Sequence, residues 1–231
     1  MSRIERLEWD SSFFGYEVGK IVANDTAIFG LNDFIERTKE FKLIYLFSKQ
    51  SISLPNITLV DTKVVLSQVC TEIVAEDNVL IQSFNSKKHC FAELKELALE
   101  SGIYSRFYID KNFRNQEYEK LYTRWIENAV NDAATFDIII AIRNNAIIGF
   151  ATLNKKNSLL ADIGLVAVSK NSRGLGVGKQ LIQEGILRSK IAGFTEIQVV
   201  TQMNNVAAMK LYQSANFKIK EITNIYHLWN P

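Results

Sequence analysis

The sequence is poor in proline, cysteine and histidine, with two of each in 231 residues. Two prolines leave no Pro-rich linker, and no repeat or low-complexity tract divides the chain. Cys70 and Cys90 are too few for a disulfide framework or a zinc cluster, so both read as buried thiols in a reducing compartment. His89 and His227 cannot make a multi-histidine metal site; no metal is expected, and both read as structural. Charge of one sign is also lacking. A net charge of +2, from 27 basic and 25 acidic side chains, argues against a dedicated nucleic-acid binder. No run approaches the roughly 20 apolar residues of a membrane span, and the opening MSRIERLEWD carries no apolar signal core. A cytoplasmic protein with neither membrane nor nucleic acid as partner is expected. With 47% hydrophobic residues, the chain can bury a real core, and its length suits one large domain or two small ones.

Glycine is concentrated in one stretch, Val166 to Lys179, VAVSKNSRGLGVGK. An apolar run, Asp162 to Val168, reads as a buried strand. The polar turn Ser169 to Ser172 follows, then Arg173-Gly174-Leu175-Gly176-Val177-Gly178. A helix is expected from Lys179 to Ala192, because Leu181, Ile182, Ile186 and Ser189 share one face at a period near 3.6. A glycine turn entering a helix aims free amides and the positive end of the helix dipole at one spot, which suits phosphate. A Walker loop is excluded: Arg173 stands where its first glycine belongs, and Gln180 follows Lys179. A dinucleotide fingerprint is excluded because its third glycine falls on Lys179. Arg-x-x-Gly-x-Gly remains. The plain alternative is a tight turn with no ligand.

The first 70 residues read as a mixed α/β domain. Ile4 to Trp9 reads as a strand, Asp10 to Gly15 as a turn with Phe13 and Phe14, and Glu17 to Ala23 as a second strand. Asn32 or Asp33 caps a helix to about Phe41. Leu43 to Phe47 is a short strand, Pro55-Asn56 a turn, and Ile57 to Ser67 β-rich. A second domain, 71–231, follows. It holds a strand within Glu72 to Phe84, a helix Lys87 to Glu100 capped by Ser86, a loop Ser101 to Asn115, and a helix Gln116 to Val130. Asp137 to Arg143 and Ala146 to Leu153 form a hairpin across Asn144-Asn145, a pair that tolerates positive φ. After the glycine turn and its helix come the strand Thr195 to Thr201, a short helix Asn205 to Ser214, and two strands, Phe217 to Glu221 and Asn224 to Trp229.

This element order and the Arg173 to Gly178 loop resemble the GCN5-related N-acetyltransferases (GNAT) over about residues 72 to 231. The resemblance implies an α/β fold with a mixed central sheet flanked by helices. Asn205-Val206-Ala207-Ala208-Met209-Lys210-Leu211-Tyr212 looks like the family's Asn-x-x-Ala-x-x-x-Tyr helix. The family's usual Gly-Phe after that helix is Asn216-Phe217 here, a mild departure because asparagine tolerates the left-handed cap. Trp9-Asp10-x-x-Phe13-Phe14-Gly15, Ser105-Arg106-Phe107, Trp125 to Val130 and Val200 to Asn205 are similar to the bacterial dTDP-fucosamine acetyltransferases, which carry an extra N-terminal domain of about this size.

The resemblance implies acetyl-CoA as co-substrate and a sugar nucleotide, dTDP-4-amino-4,6-dideoxygalactose, as acceptor for surface glycan synthesis. Its pantetheine arm is expected to pair with Val166 and Val168, where β-structure parts from the strand at Thr195 to Thr201. The amides of Gly174, Leu175, Gly176, Val177 and Gly178, with Lys179, hold the pyrophosphate, and Asn205 contacts the cofactor. Arg173 either meets a phosphate or orders the turn. Tyr212 is the candidate general acid for the leaving thiolate, and a backbone N–H near Val166 the oxyanion donor. No base is evident: Asp162, Glu127 and a water chain are the candidates. Arg106, near Tyr104 and Tyr108, either binds the nucleotide or packs on the sheet. Monomer and homodimer both stay open. Acetylation of a peptide amine, antibiotic or polyamine is the alternative activity; a non-catalytic acyl-CoA-binding module is the alternative class.

Overall fold

The computed structural model describes residues 4–23, 36–71 and 80–231. The cap expected at Asn32 or Asp33 lies outside them, although residues 36–38 are helical. Strands are β1 (Glu5–Arg6), β2 (Val18–Ala23), β3 (Leu43–Ser48), β4 (Ile57–Val69), β5 (Leu80–Ser83), β6 (Thr135–Arg143), β7 (Ala146–Lys155), β8 (Leu160–Val168), β9 (Glu196–Gln202) and β10 (Lys218–Trp229). Helices are α1 (Glu8–Phe14), α2 (Phe91–Ser101), α3 (Arg106–Ile109), α4 (Glu117–Asn131), α5 (Val177–Ile191) and α6 (Val206–Ser214). The strands form one mixed sheet in the order β1-β2-β3-β10-β4-β9-β8-β7-β6-β5. Pairs β2–β3 and β8–β9 are parallel and the others antiparallel.

Alternation along each strand places helices on both faces. In β6, Ile139 and Ala141 pack with Leu181, Ile182 and Ile186 of α5 and Met209 of α6. Their neighbours Ile138 and Ile140 turn the other way, onto Leu94 and Leu97 of α2 and Ile126 of α4. The Asn144-Asn145 turn carries φ of 51° and 61°, the mirror-image turn that a twisted two-residue hairpin needs. No helix among the described residues is long and apolar enough to cross a membrane, which says nothing of strands.

The division expected at residue 70 does not coincide with a break in the sheet. β4 lies between β10 and β9, paired with Lys218–Leu228 on one side and Glu196–Gln202 on the other. Several local expectations need correction. Trp9 to Phe14 is helix α1 rather than strand and turn; Gly15, at φ +78°, stops it in the left-handed conformation. α2 begins at Phe91, not Lys87, because Asn85 Oδ1 takes the Lys87 amide at 2.9 Å and His89 Nδ1 takes the Asn85 amide at 2.8 Å, holding a turn. Cys90, at that helix start, is exposed, whereas Cys70 is buried. The loop 101–115 contains helix α3. The two C-terminal strands are one, β10, whose register shifts at Ile219/Glu221 and Ile225/Tyr226 absorb the irregular pattern.

Candidate active site

β8 and β9 pair only over Leu160–Ile163 against Glu196–Val199, and then part. β8 stays bonded to β7 on its other side, with Val166 opposite Ala151 and Val168 opposite Gly149. β9 stays bonded to β4 through Gln202. A bulge starts the divergence: Leu153 faces Ile163 and Ala151 faces Val166, so Gly164 and Leu165 share one opposite residue, Thr152. The Thr152 hydroxyl accepts the Leu165 amide at 2.9 Å. A Cβ on Gly164 would stand 2.6 Å from Asn154 Nδ2 and 2.7 Å from Thr152 Oγ1, so the bulge admits glycine alone without displacing both side chains.

The divergence opens a cleft of ≈ 390 Å³. Val166 and Val168 form one wall, Asn205, Leu211 and Tyr212 of the α6 segment another, and the glycine loop the end. Backbone groups of β8 beyond Ile163 face this gap without a β9 partner, and buried backbone groups require one. Gly174 and Gly176 sit at φ +76° and +80°, where a side chain is strained. Gly176 is the N-cap of α5 and brings no side chain to cover the helix end. The first-turn amides of Val177, Gly178 and Lys179 therefore point outward with the positive end of the helix. Gly178 also lets α6 approach: a Cβ there would lie 3.3 Å from Leu211.

Arg173 ties this loop down. Its Nε donates to the Val168 carbonyl at 3.0 Å and its Nη2 to Glu100 at 3.1 Å. Asn205 caps α6 by accepting the Ala208 amide at 3.1 Å and lines the cleft as well. Tyr212 is 5% exposed and packs against Phe217. Burial pushes its phenol well above the usual tyrosine value, so it holds its proton through neutral pH.

Of the residues singled out in the sequence, Val166, Val168, Arg173, Gly174, Gly176, Val177, Gly178, Lys179, Asn205 and Tyr212 meet at this cleft. Leu175 does not line it; its side chain is half exposed at the loop tip. Glu100, Ser101 and Ile103 line the cleft without having been foreseen, and Tyr104, noted only as a neighbour of Arg106, lines it too. Only Gly102 hinted at them: a Cβ there would lie 2.2 Å from the Tyr122 ring, so the chain turns tightly past α4 toward the cleft. Asp162 accepts from Gln198 Nε2 at 2.6 Å in the paired part of β8 and β9, and Glu127 lies partly exposed near Arg124; neither lines the cleft. Arg106 is elsewhere too, its guanidinium carbon 4.9 Å from the Tyr45 ring centre and 4.4 Å from that of Phe107.

A strand pair that opens beside a glycine loop and a helix end defines this cleft. The Acetyltransferase (GNAT) family matches residues 102–217, half of the sequence. The chain belongs to that family. It is 38% identical over 96 residues to the dTDP-fucosamine acetyltransferase of Escherichia coli O6:H1, a match covering 40% of this chain and 39% of that protein. It is 26% identical over 135 residues to the spore coat polysaccharide biosynthesis protein SpsD of Bacillus subtilis, covering 58% of this chain and 46% of the relative. The matches thus span less than half the length of either relative. Among solved structures, a GCN5-related N-acetyltransferase from Sphaerobacter thermophilus shares the fold, with a TM-score of 0.62 at 13% identity over 99% of this chain and 76% of the other.

Proposed function

We propose that the protein transfers the acetyl group of acetyl-CoA to the amino group of a nucleotide-linked amino-dideoxy sugar, dTDP-4-amino-4,6-dideoxygalactose, for surface polysaccharide synthesis. The reaction is cytoplasmic and uses no metal. The observation that carries the acetyl-CoA part is the unpaired edge of β8 running into the free amides of α5. The edge offers strand-like pairing to a pantetheine amide. The amides of Gly174 to Lys179 offer hydrogen bonds to a pyrophosphate. Names of the partly matching relatives, one a dTDP-fucosamine acetyltransferase and one a polysaccharide biosynthesis protein, support the sugar part.

The chemistry assigned to this chain is direct transfer. The neutral amine's lone pair forms a bond to the thioester carbonyl carbon, and the carbonyl π electrons move to oxygen. A backbone N–H near Val166 faces that oxygen in this reading. When the C=O bond re-forms, the C–S bond breaks, its electron pair leaves on sulfur, and the thiolate takes the Tyr212 proton. The proton shed by the amine nitrogen passes to water and returns the phenol to its neutral form. Burial keeps the phenol protonated at neutral pH; because phenolate is a stronger base than thiolate, the transfer is driven by the proton that the amine nitrogen sheds as the amide forms.

Mass spectrometry of products from a panel of amino-sugar nucleotides, polyamines and peptides, each supplied with acetyl-CoA, tests the reading. Acetylation of the dTDP-linked 4-amino sugar, with stoichiometric CoA release, is expected. Turnover restricted to peptides or polyamines rules it out.

A further inference from the structure

Outside the cleft, buried polar atoms without partners collect around Arg106. Asp61 on β4 is 8% exposed and its Oδ1 accepts no hydrogen bond. His227 on β10 is 1% exposed, and its Nε2 has no partner. Arg106 Nε is buried and unpaired. Tyr45 stacks beneath the guanidinium and beside His227, at 5.0 Å between ring centres. Asp10 of α1, only partly buried, faces the Tyr45 hydroxyl and feels the Arg106 charge. No ion pair joins Arg106 to Asp10 or Asp61, although its charge pulls both carboxyls down against the upward effect of their burial. Buried polar groups are hydrogen-bonded in nearly every native protein, so unpaired atoms on Asp61, Arg106 and His227, with the Tyr45 hydroxyl beside them, call for a ligand.

The cluster adjoins the cleft through one segment. Ser101, Ile103 and Tyr104 line the cleft, and Arg106 follows two residues later with its side chain on the cluster. Tyr122, against which Gly102 packs, feels both Arg106 and Asp61.

We propose that Asp61, Arg106 and His227 form the pocket that receives the sugar of the acetyl acceptor; this rests on the sugar-nucleotide reading above and names the residues that recognise its sugar end. The donor and acceptor pattern selects the ligand class. Ionised Asp61 only accepts, and Arg106 Nε only donates. His227 Nδ1 lies 2.6 Å from Asp110 Oδ2, which also accepts from Trp229 Nε1 at 2.7 Å. Asp110 thus holds the proton on Nδ1 and leaves Nε2 an acceptor. A matching ligand presents two donors and one acceptor at neighbouring positions, as the ring hydroxyls of an amino sugar do, leaving its amine free for the thioester. A diphosphate would satisfy Arg106 and meet two carboxylates; a polyamine would satisfy the carboxylates and meet Arg106.

Two measurements decide it. Steady-state kinetics with dTDP-4-amino-4,6-dideoxygalactose should show Asp61→Asn and Arg106→Gln each raising the acceptor KM by about tenfold or more, as expected when a partner for a substrate polar group is removed, while acetyl-CoA Kd stays within about twofold of the parent. Folded variants with unchanged acceptor KM overturn the pocket. Because His89 and His227 are the only imidazoles, ¹⁵N-histidine NMR of the unmodified protein gives a reading that no folding defect can mask. The His227 Nε2 resonance should move when this sugar nucleotide binds and the His89 resonances should not. An unmoved His227 at saturation also overturns the pocket. Absence of any turnover of this nucleotide by the unmodified protein, alongside turnover of another amine, overturns the sugar reading itself.

Discussion

The cleft at the β8–β9 divergence and the polar cluster around Arg106 are built from different materials. The cleft is made of backbone: an open strand edge, two left-handed glycines and a bare helix end. The cluster is made of side chains sent by α1, β3, β4, α3 and β10. Backbone recognises what many ligands share, such as amides and phosphates, and side chains recognise what one ligand has. If both proposals hold, one molecule carries a general grip beside a particular one.

Four experiments break or sharpen this contrast. Tyr212→Phe keeps the ring packed on Phe217 and removes the proton donor. It should lower kcat by about 100-fold or more with acetyl-CoA Kd little changed, measured by CoA release and calorimetry; equal turnover removes Tyr212 as the acid. Gly176→Val forces a β-branched residue to φ +80°, at a strain of about 1–3 kcal/mol. Acetyl-CoA Kd should rise on the order of 10-fold or more, with the cluster's His227 resonance unmoved.

The third concerns acid stability. Burial, against the Asp110 hydrogen bond, pushes His227 down to about 4 from 6.5. The unfolded chain binds that proton first, so this group's contribution is lost as pH falls from 6.5 toward 4. Burial pushes Asp61 up to about 6 from 3.8. The folded chain binds that proton first, so stability from this group falls as pH rises from 3.8 toward 6. The two slopes oppose each other in nearly the same window. Asp61→Asn should unmask the histidine slope, adding about 1–2 kcal/mol of stability loss between pH 6.5 and 4.5, read from urea midpoints. A variant whose pH profile matches the parent's contradicts the pairing.

The smallest effect should come from Arg173. Its exposed pair with Glu100 contributes about 0–1 kcal/mol. If it only orders the loop, Arg173→Gln and Glu100→Gln should weaken acetyl-CoA binding alike, by no more than about threefold. A loss confined to Arg173→Gln would mean direct contact with phosphate.

The same contrast explains what the sequence disclosed. A backbone site writes itself in residue spacing, because only glycine takes the left-handed turn and only a 3.6 period makes the helix behind it. Leu181, Ile182, Ile186 and Ser189, all read as one face, are all buried. Asn205 to Tyr212 was legible for the same reason, as a cap followed by one helix face. Asp61, Arg106 and His227 are separated by tens of residues, and nothing at any of them marks the others. His227, read as structural, has its Asp110 partner 117 positions away. Glu100 is likewise 73 positions from Arg173. α1 was missed because Trp9 was read at the end of a strand and Asp10 to Gly15 as a turn, whereas the i,i+4 stacking of Trp9 on Phe13 suits a helix. β10 was split because its register shifts interrupt the alternation that marks a strand.

β10 slots between β3 and β4, two strands that leave the ribosome long before it. Until it arrives, β3 and β4 each hold an open edge, and Tyr45 and Asp61 have no shared floor. The cluster around Arg106 is thus the last part of the sheet to close. A nascent or C-terminally clipped chain keeps the residues of the glycine loop and loses the strand that carries His227.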